Sequence, residues 1–232
     1  ISIVHNETTS GLINDLVSVS EVVKNHNLRF IVDAMSSFGA VDVNVAELGI
    51  DFLISSANKC IQGVPGFSFI IARREALTAT EGYARTISLD LHSQWKTMEK
   101  DNGKWRFTSP THVVAAFAQA LKELQQEGGV TVRGDRYAAT NRKLREGMRA
   151  LGFEPFVSEA FQGPIITTFL YPEGRNLDFK HMHHWLKEQG YVIYPGKLTD
   201  RDTFRIGNIG EIYDADADRI LELFAQYTKE FM

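Results

Sequence analysis

Residues 52–66 read FLISSANKCIQGVPG, and the fold turns on how they are read. Phe52 to Ile54 is a short, continuous apolar run, the pattern of a strand covered on both faces. Four residues then intervene before Lys59, which is bracketed by Asn58, Cys60 and Ile61 and followed by the turn Gly63-Val64-Pro65-Gly66. Lysine is among the residues least often fully buried. An amine placed where the chain leaves a core strand asks for a chemical reason.

Working outward, the same strand pattern recurs on both sides. Residues 1–5 form an apolar run followed by the polar loop Asn6 to Gly11. Leu16, Val19, Val22 and Val23 fall at helical spacing, with Asn25 and Asn27 as terminators. Phe30 to Val32 is a second strand ending at Asp33. A connector with an amphipathic turn (Val45, Leu48) leads to the strand at 51–55, and Phe67 to Ala72 is another. Strand, helix, strand, connector, strand predicts an open α/β sheet of mostly parallel order.

Residues 83–110 read as irregular, rich in polar and aromatic side chains, and long enough to suggest a functional segment. A helix over 111–126 ends at Gly128-Gly129. Beyond it the pattern changes to a helix at 136–150, a strand at 164–171, a helix at 178–189, strands at 191–194 and 203–207, and a closing helix at 216–231 capped by Asp214 or Asp216. This predicts two domains: the C-terminal part of a larger domain over 1–132, and a smaller α+β domain over 133–232. Ile1 to Val4 already reads as a core strand with no capping element, so the chain is expected to begin inside a domain.

Composition narrows the function classes. The 232 residues are 44% hydrophobic, ample for a packed core, with a net charge of −4 and a pI near 6.0. There is no Lys/Arg block for a nucleic-acid groove, no apolar run that spans a bilayer, and no signal-peptide pattern at the start. The single cysteine, Cys60, excludes an internal disulfide framework and fits a reducing compartment.

In open α/β sheets, ligands sit beyond the carboxyl ends of the strands. Three ends here are polar: Thr8 to Gly11, Asp33, and Ser55 to Lys59. An acid and a lysine on successive strand ends should converge on one crevice. A lysine amine can condense with an aldehyde, and partial burial favours its neutral, nucleophilic form. Pyridoxal phosphate supplies such an aldehyde, and a carboxylate keeps its ring nitrogen protonated. The bland alternative is that Asp33 caps a turn and forms a salt bridge with Lys59, since structural pairs also join acids to lysines.

Other residues carry weaker signals. Cys60 reads as a small buried hydrophobe. His181, His183 and His184 lack a metal-ligand spacing and read as a solvated helix face. His5 lines a site or is structural, and His112 is ambiguous. Trp95 and Trp105 pack or line an interface. Glu7 orients its loop, and Arg85 is either an anion contact or a surface charge.

The words VDAMSSFGAV, DFLISSANKCIQGVPGFSFIIAR, GKWRFTSPTH, VIYPGK and FRIGNIGE, together with HNETTSG, resemble the class V aminotransferases of the fold type I pyridoxal-phosphate enzymes over essentially the whole chain. The likeness is to the branch that transaminates 2-aminoethylphosphonate with pyruvate, giving phosphonoacetaldehyde and alanine. That resemblance implies a role for particular residues. Lys59 takes the place of the lysine that bonds the cofactor, and Asp33 that of the partner of the ring nitrogen. Thr8 matches a hydroxyl near the ring oxygen. Asn58 and Thr108 match phosphate contacts, with Thr108 reaching across a dimer interface. Arg205 matches the arginine that binds the substrate's anionic group. It also implies a homodimer with shared sites, while the composition reads as that of a cytoplasmic protein. Family members carry a further stretch before the point matching Ile1, with a glycine-rich phosphate turn and a ring-stacking aromatic. Alternatives within the class use alanine and glyoxylate or serine and pyruvate. A further alternative is an inactive fragment that only folds and dimerises.

Overall fold

The computed structural model describes all residues from Ile1 to Met232. The first sheet is built from β1 (Ser2–Val4), β4 (Ile31–Asp33), β5 (Phe52–Ser56) and β6 (Ser68–Ala72), in that order. β1, β4 and β5 run parallel, in a register that aligns Val4 with Asp33 and Asp33 with Ile54. The polar ends of these strands therefore lie side by side. β6 pairs antiparallel with β5 along the sheet edge, so the sheet is mostly parallel as expected. The continuous apolar runs have the predicted cause: Phe30, Val32 and Leu53 are fully buried, within a core shared with Leu16 and Val23 of α1 (Leu16–Asn25). Asp15 caps that helix, accepting from the backbone of Val17 and Ser18, and Asn27 adopts a left-handed conformation just beyond its end.

The polar loop after β1 is more ordered than its sequence implies. It folds as a ribbon of β2 (Asn6–Glu7) and β3 (Leu12–Ile13), turning through Thr8 to Gly11. After β6 come a short helix α2 (Arg74–Thr78) and a ten-residue helix α3 (Leu91–Lys100). The expectation of an irregular 83–110 segment is corrected at α3. Asp90 caps it through Ser93 N, and Leu91, Trp95 and Met98 lie at helical spacing. Its buried face is narrow, only His92 being fully covered, which hid the periodicity. α4 (Thr111–Glu127) ends at Gly128, whose φ of +116° is open to glycine without strain.

α5 (Gly129–Ala150) then begins at once, correcting the expected start at 136. Its buried positions, Arg133, Tyr137, Thr140, Asn141, Leu144, Arg145 and Met148, keep helical spacing, but most are polar. An apolar stripe is therefore missing from the very face that packs inward. The second sheet is antiparallel, in the order β7 (Ile166–Leu170), β9 (Thr203–Gly207), β8 (Tyr194–Pro195). α6 (Phe179–Glu188) and α7 (Asp214–Phe231) pack with it around a core that includes Phe153, Phe169, Phe204 and Phe224. α7 begins at Asp214 rather than 216 and its N-cap is Tyr213, correcting the expected cap; Asp216, inside the first turn, accepts from Tyr213 N. No helix is long and apolar enough to cross a membrane.

Candidate active site

The carboxyl ends of the parallel strands open into a cleft of about 770 Å³. Lys59, Asp33, Thr8 and Arg205 all line it. The sequence separates these four residues widely, and two features of the fold bring them together. The parallel register sets Asp33 beside the start of the β5–Lys59 turn. The second sheet then closes over the first, seating β9 and its Arg205 against the Thr8 turn.

That seating is specific. Arg205 donates from Nε to the Pro195 carbonyl at 3.0 Å and from Nη1 to the Thr8 carbonyl at 2.9 Å. These bonds leave the Nη2 donors directed to no protein partner, and the side chain is largely buried. Burial lowers the guanidinium's pKa, while Tyr194 and Glu7 oppose that shift. A guanidinium never loses its proton near neutral pH, so the group remains a cation aimed at the cleft. The Thr8 turn is tethered further: Thr168 Oγ1 donates to the Thr9 carbonyl, and Gly163 N to the Gly11 carbonyl. Gly11 sits at φ +92°, and a Cβ there would lie 2.8 Å from the Ile166 carbonyl.

Asp33 does cap a turn, accepting from Met35 N at 2.9 Å through Oδ1. Its other oxygen has no protein donor, and neither Asp33 nor Lys59 enters any ion pair. The salt bridge of the bland alternative is not formed. Both groups keep free valence toward the cleft.

Glu7 and Lys197 share the cleft with these residues. Glu7 is held below the ordinary carboxylate range, first by the Thr9 backbone N–H at 2.7 Å and further by the charges of Lys197 and Arg205. It is therefore an anion standing among cations. Lys197 lies within the VIYPGK run, in the turn between β8 and β9, and that turn position is the one local sign of its place in the cleft. Asn58 is half-buried and Thr108 exposed, and neither lines the cleft. Arg85 is also exposed and away from it.

None of the remaining candidates lines the cleft. His5 is buried, with Nδ1 2.9 Å from Ser37 Oγ. Burial pushes its pKa down to about 4, so the ring is neutral near pH 7. Cys60 is fully buried, its thiol donating to the Ser36 carbonyl, and burial raises its pKa to about 12. His181 bonds the Tyr227 hydroxyl at 2.8 Å, and His184 pairs with Glu188 on the exposed helix face. Trp105 packs on Phe67, and Trp95 beside His92 and Arg74.

A parallel sheet with a lysine and an acid at adjoining strand ends, and an arginine brought in from a second sheet, defines a class of enzyme, and comparison with known proteins agrees. The family model described as Aminotransferase class-V matches residues 1–200, and the chain belongs to that family. A 2-aminoethylphosphonate–pyruvate transaminase from Bacteroides fragilis (strain YCH46) is 59% identical over 223 residues, covering 96% of this chain and 61% of the relative. The transaminase of the same description from Klebsiella pneumoniae subsp. pneumoniae is 55% identical over 232 residues, covering 99% of this chain and 63% of its own. The chain thus spans a little over three-fifths of the length of these curated relatives. Among solved structures, ureidoglycine–glyoxylate aminotransferase from Bacillus subtilis matches all of the chain and 60% of its own, with a TM-score of 0.86 at 23% identity. Alanine–glyoxylate aminotransferase from Nostoc sp. matches 97% of this chain and 60% of its own, with a TM-score of 0.85 at 22% identity. These two similarities establish the fold.

Proposed function

We propose that this chain is the cofactor-bonding portion of an enzyme that moves the amino group of 2-aminoethylphosphonate to pyruvate, with pyridoxal phosphate as cofactor. The observation that carries the reading is the convergence of Lys59, Asp33 and Arg205 on one cleft, in a chain 55–59% identical to transaminases of that description. The donor set fits the cofactor: an unpaired amine, a carboxylate oxygen with no protein donor, and a cation with unused N–H groups.

When bound, pyridoxal phosphate supplies an aldehyde that takes up the amino group and a ring that accepts the electron pair freed at the substrate carbon. Lys59 would bond that aldehyde through Nζ. Once displaced by the incoming amine, Nζ would be free to take a proton from the amine-bearing substrate carbon and deliver it to the carbon that had been the cofactor's aldehyde. Asp33 would hold the ring nitrogen protonated through its free oxygen, its other oxygen being fixed by Met35 N. Thr8 would stand near the ring hydroxyl, and Arg205 would grip the phosphonate in one half-reaction and the carboxylate in the other. A planar guanidinium suits both anions. Asn58 and Thr108 are read as phosphate contacts, Thr108 from a second copy in a cytoplasmic homodimer. The exposure of Thr108 supports that reading. The division into 1–132 and 133–232 belongs to the same proposal. It is supported by one sheet lying on either side of it, with α5 running across.

Reduction with borohydride after adding pyridoxal phosphate should place the label on Lys59. An unlabelled Lys59 in folded protein overturns the reading. The absorbance of the bound cofactor should then bleach with 2-aminoethylphosphonate. A response to alanine or serine alone would move the assignment within the class. Lys59→Ala is expected to abolish turnover with the fold retained, as judged by circular dichroism.

A further inference from the structure

The Lys59 loop is held by one face of α5. Arg133, fully buried, donates from Nη1 to the carbonyls of Cys60 at 2.9 Å and Ile61 at 3.2 Å. Arg136, one turn along, donates to the carbonyls of Gly210 and Ile212, on the opposite wall of the cleft. Glu127 joins the two arginines, accepting from each Nε at 2.7 Å. A single atom bonds both walls. The Tyr137 hydroxyl, on a fully buried side chain, accepts from Gln62 Nε2 at 2.5 Å and from Gly210 N at 3.0 Å.

Gln62 also has φ +65°, a left-handed conformation that a glutamine rarely adopts. Its bond to Tyr137 helps to hold that backbone, three residues after the lysine. Gly210 lies between Ile209 and Ile212, which line the cleft with Lys59. We propose that the Tyr137 hydroxyl is a positioning group for Lys59, locking the lysine loop in register with the far wall of the cleft. It touches neither Lys59 nor the cleft, and it acts through Gln62 and Gly210. Reacting groups lose rate steeply when misplaced by an ångström, which gives such a lock its value. The proposal rests on the reading of Lys59 as the cofactor-bonding residue.

Tyr137→Phe keeps the ring and removes the one atom at issue. Amide hydrogen exchange in the 232-residue chain should rise about tenfold over 58–63 and over 208–212 together, the size of one lost buried hydrogen bond, with β4 and α7 unchanged. Gln62→Ala should loosen 58–63 alone. Pyridoxal phosphate, followed by its absorbance, should bind Tyr137→Phe about tenfold more weakly. Adding Gln62→Asn to that variant should recover binding, because asparagine accepts a left-handed backbone far better than glutamine. Exchange that rises uniformly, or in neither loop, or in only one loop of Tyr137→Phe, overturns the proposal, as does wild-type affinity in that variant. A wild-type chain that binds no pyridoxal phosphate refutes the proposed function instead, and the exchange result still decides whether the two loops are locked.

Discussion

Lys59, Asp33 and Arg205 show how far a single residue can be read. Lys59 and Asp33 were visible as charges at or beyond the ends of apolar runs, whereas Arg205 was marked only by the family resemblance. The structure brought the three into one cleft, and it left several other candidates outside it. His5 makes a measurable case. Its ring is neutral when folded, with a pKa near 4, against about 6.5 when unfolded. Between these values the unfolded chain binds the extra proton, so stability rises with pH across the window and falls on acidification. Going from pH 6.5 to pH 4 should cost about 3 kcal/mol through this group. In His5→Asn, thermal melts should lose that part of the acid sensitivity. Cys60 makes a second. A thiol with its pKa raised to about 12 has almost no thiolate at pH 8, so folded protein should resist iodoacetamide and unfolded protein should react.

Elements were legible where burial is apolar. The strands ending at Asp33 and Ser56 and the helix from Leu16 are built from Val, Ile, Leu and Phe, and their bounds fall within a few residues of expectation. α5 was legible over 136–150 but not over its first seven residues, where the one buried side chain is Arg133, and even the legible part turns mostly polar side chains inward. Asn141 donates to Thr167 and Asn208, and Arg145 donates to Asn141 and pairs with Glu159. A period built from polar residues looks like a surface until partners distant in sequence arrive. The helix also approaches the first half closely. A Cβ on Gly134 would lie 2.1 Å from the Ala40 carbonyl. In an open helix Gly→Ala gains about 1 kcal/mol, whereas overpacking against backbone costs about 1–3 kcal/mol. Gly134→Ala should therefore lower stability in urea melts, and an increase would show that α5 is free to shift outward.

At the scale of the whole molecule, the two halves meet over a small buried cluster, Ala40, Cys60, Tyr137, Ile165 and Ile166, beside the much larger core of the second sheet. Phe204→Ala, in that larger core, should cost about 3–5 kcal/mol with little change in the cleft. Ile165→Ala, at the joint and on the cleft wall, should cost about 2–5 kcal/mol and also weaken binding of pyridoxal phosphate, measured by absorbance titration. By itself, the sequence determined the mostly parallel sheet and the polar strand ends that carry Asp33 and Lys59. Apolar runs and isolated charges are local signals, carried by neighbours along the chain. Only the tertiary structure decided that Arg205 reaches the Thr8 turn, that Lys197 and Glu7 join the same cleft, and that Tyr137 ties its two walls together. Those contacts are hydrogen bonds and charges between residues dozens to nearly two hundred positions apart. Their energy depends on distance in space, which no local pattern in the chain encodes.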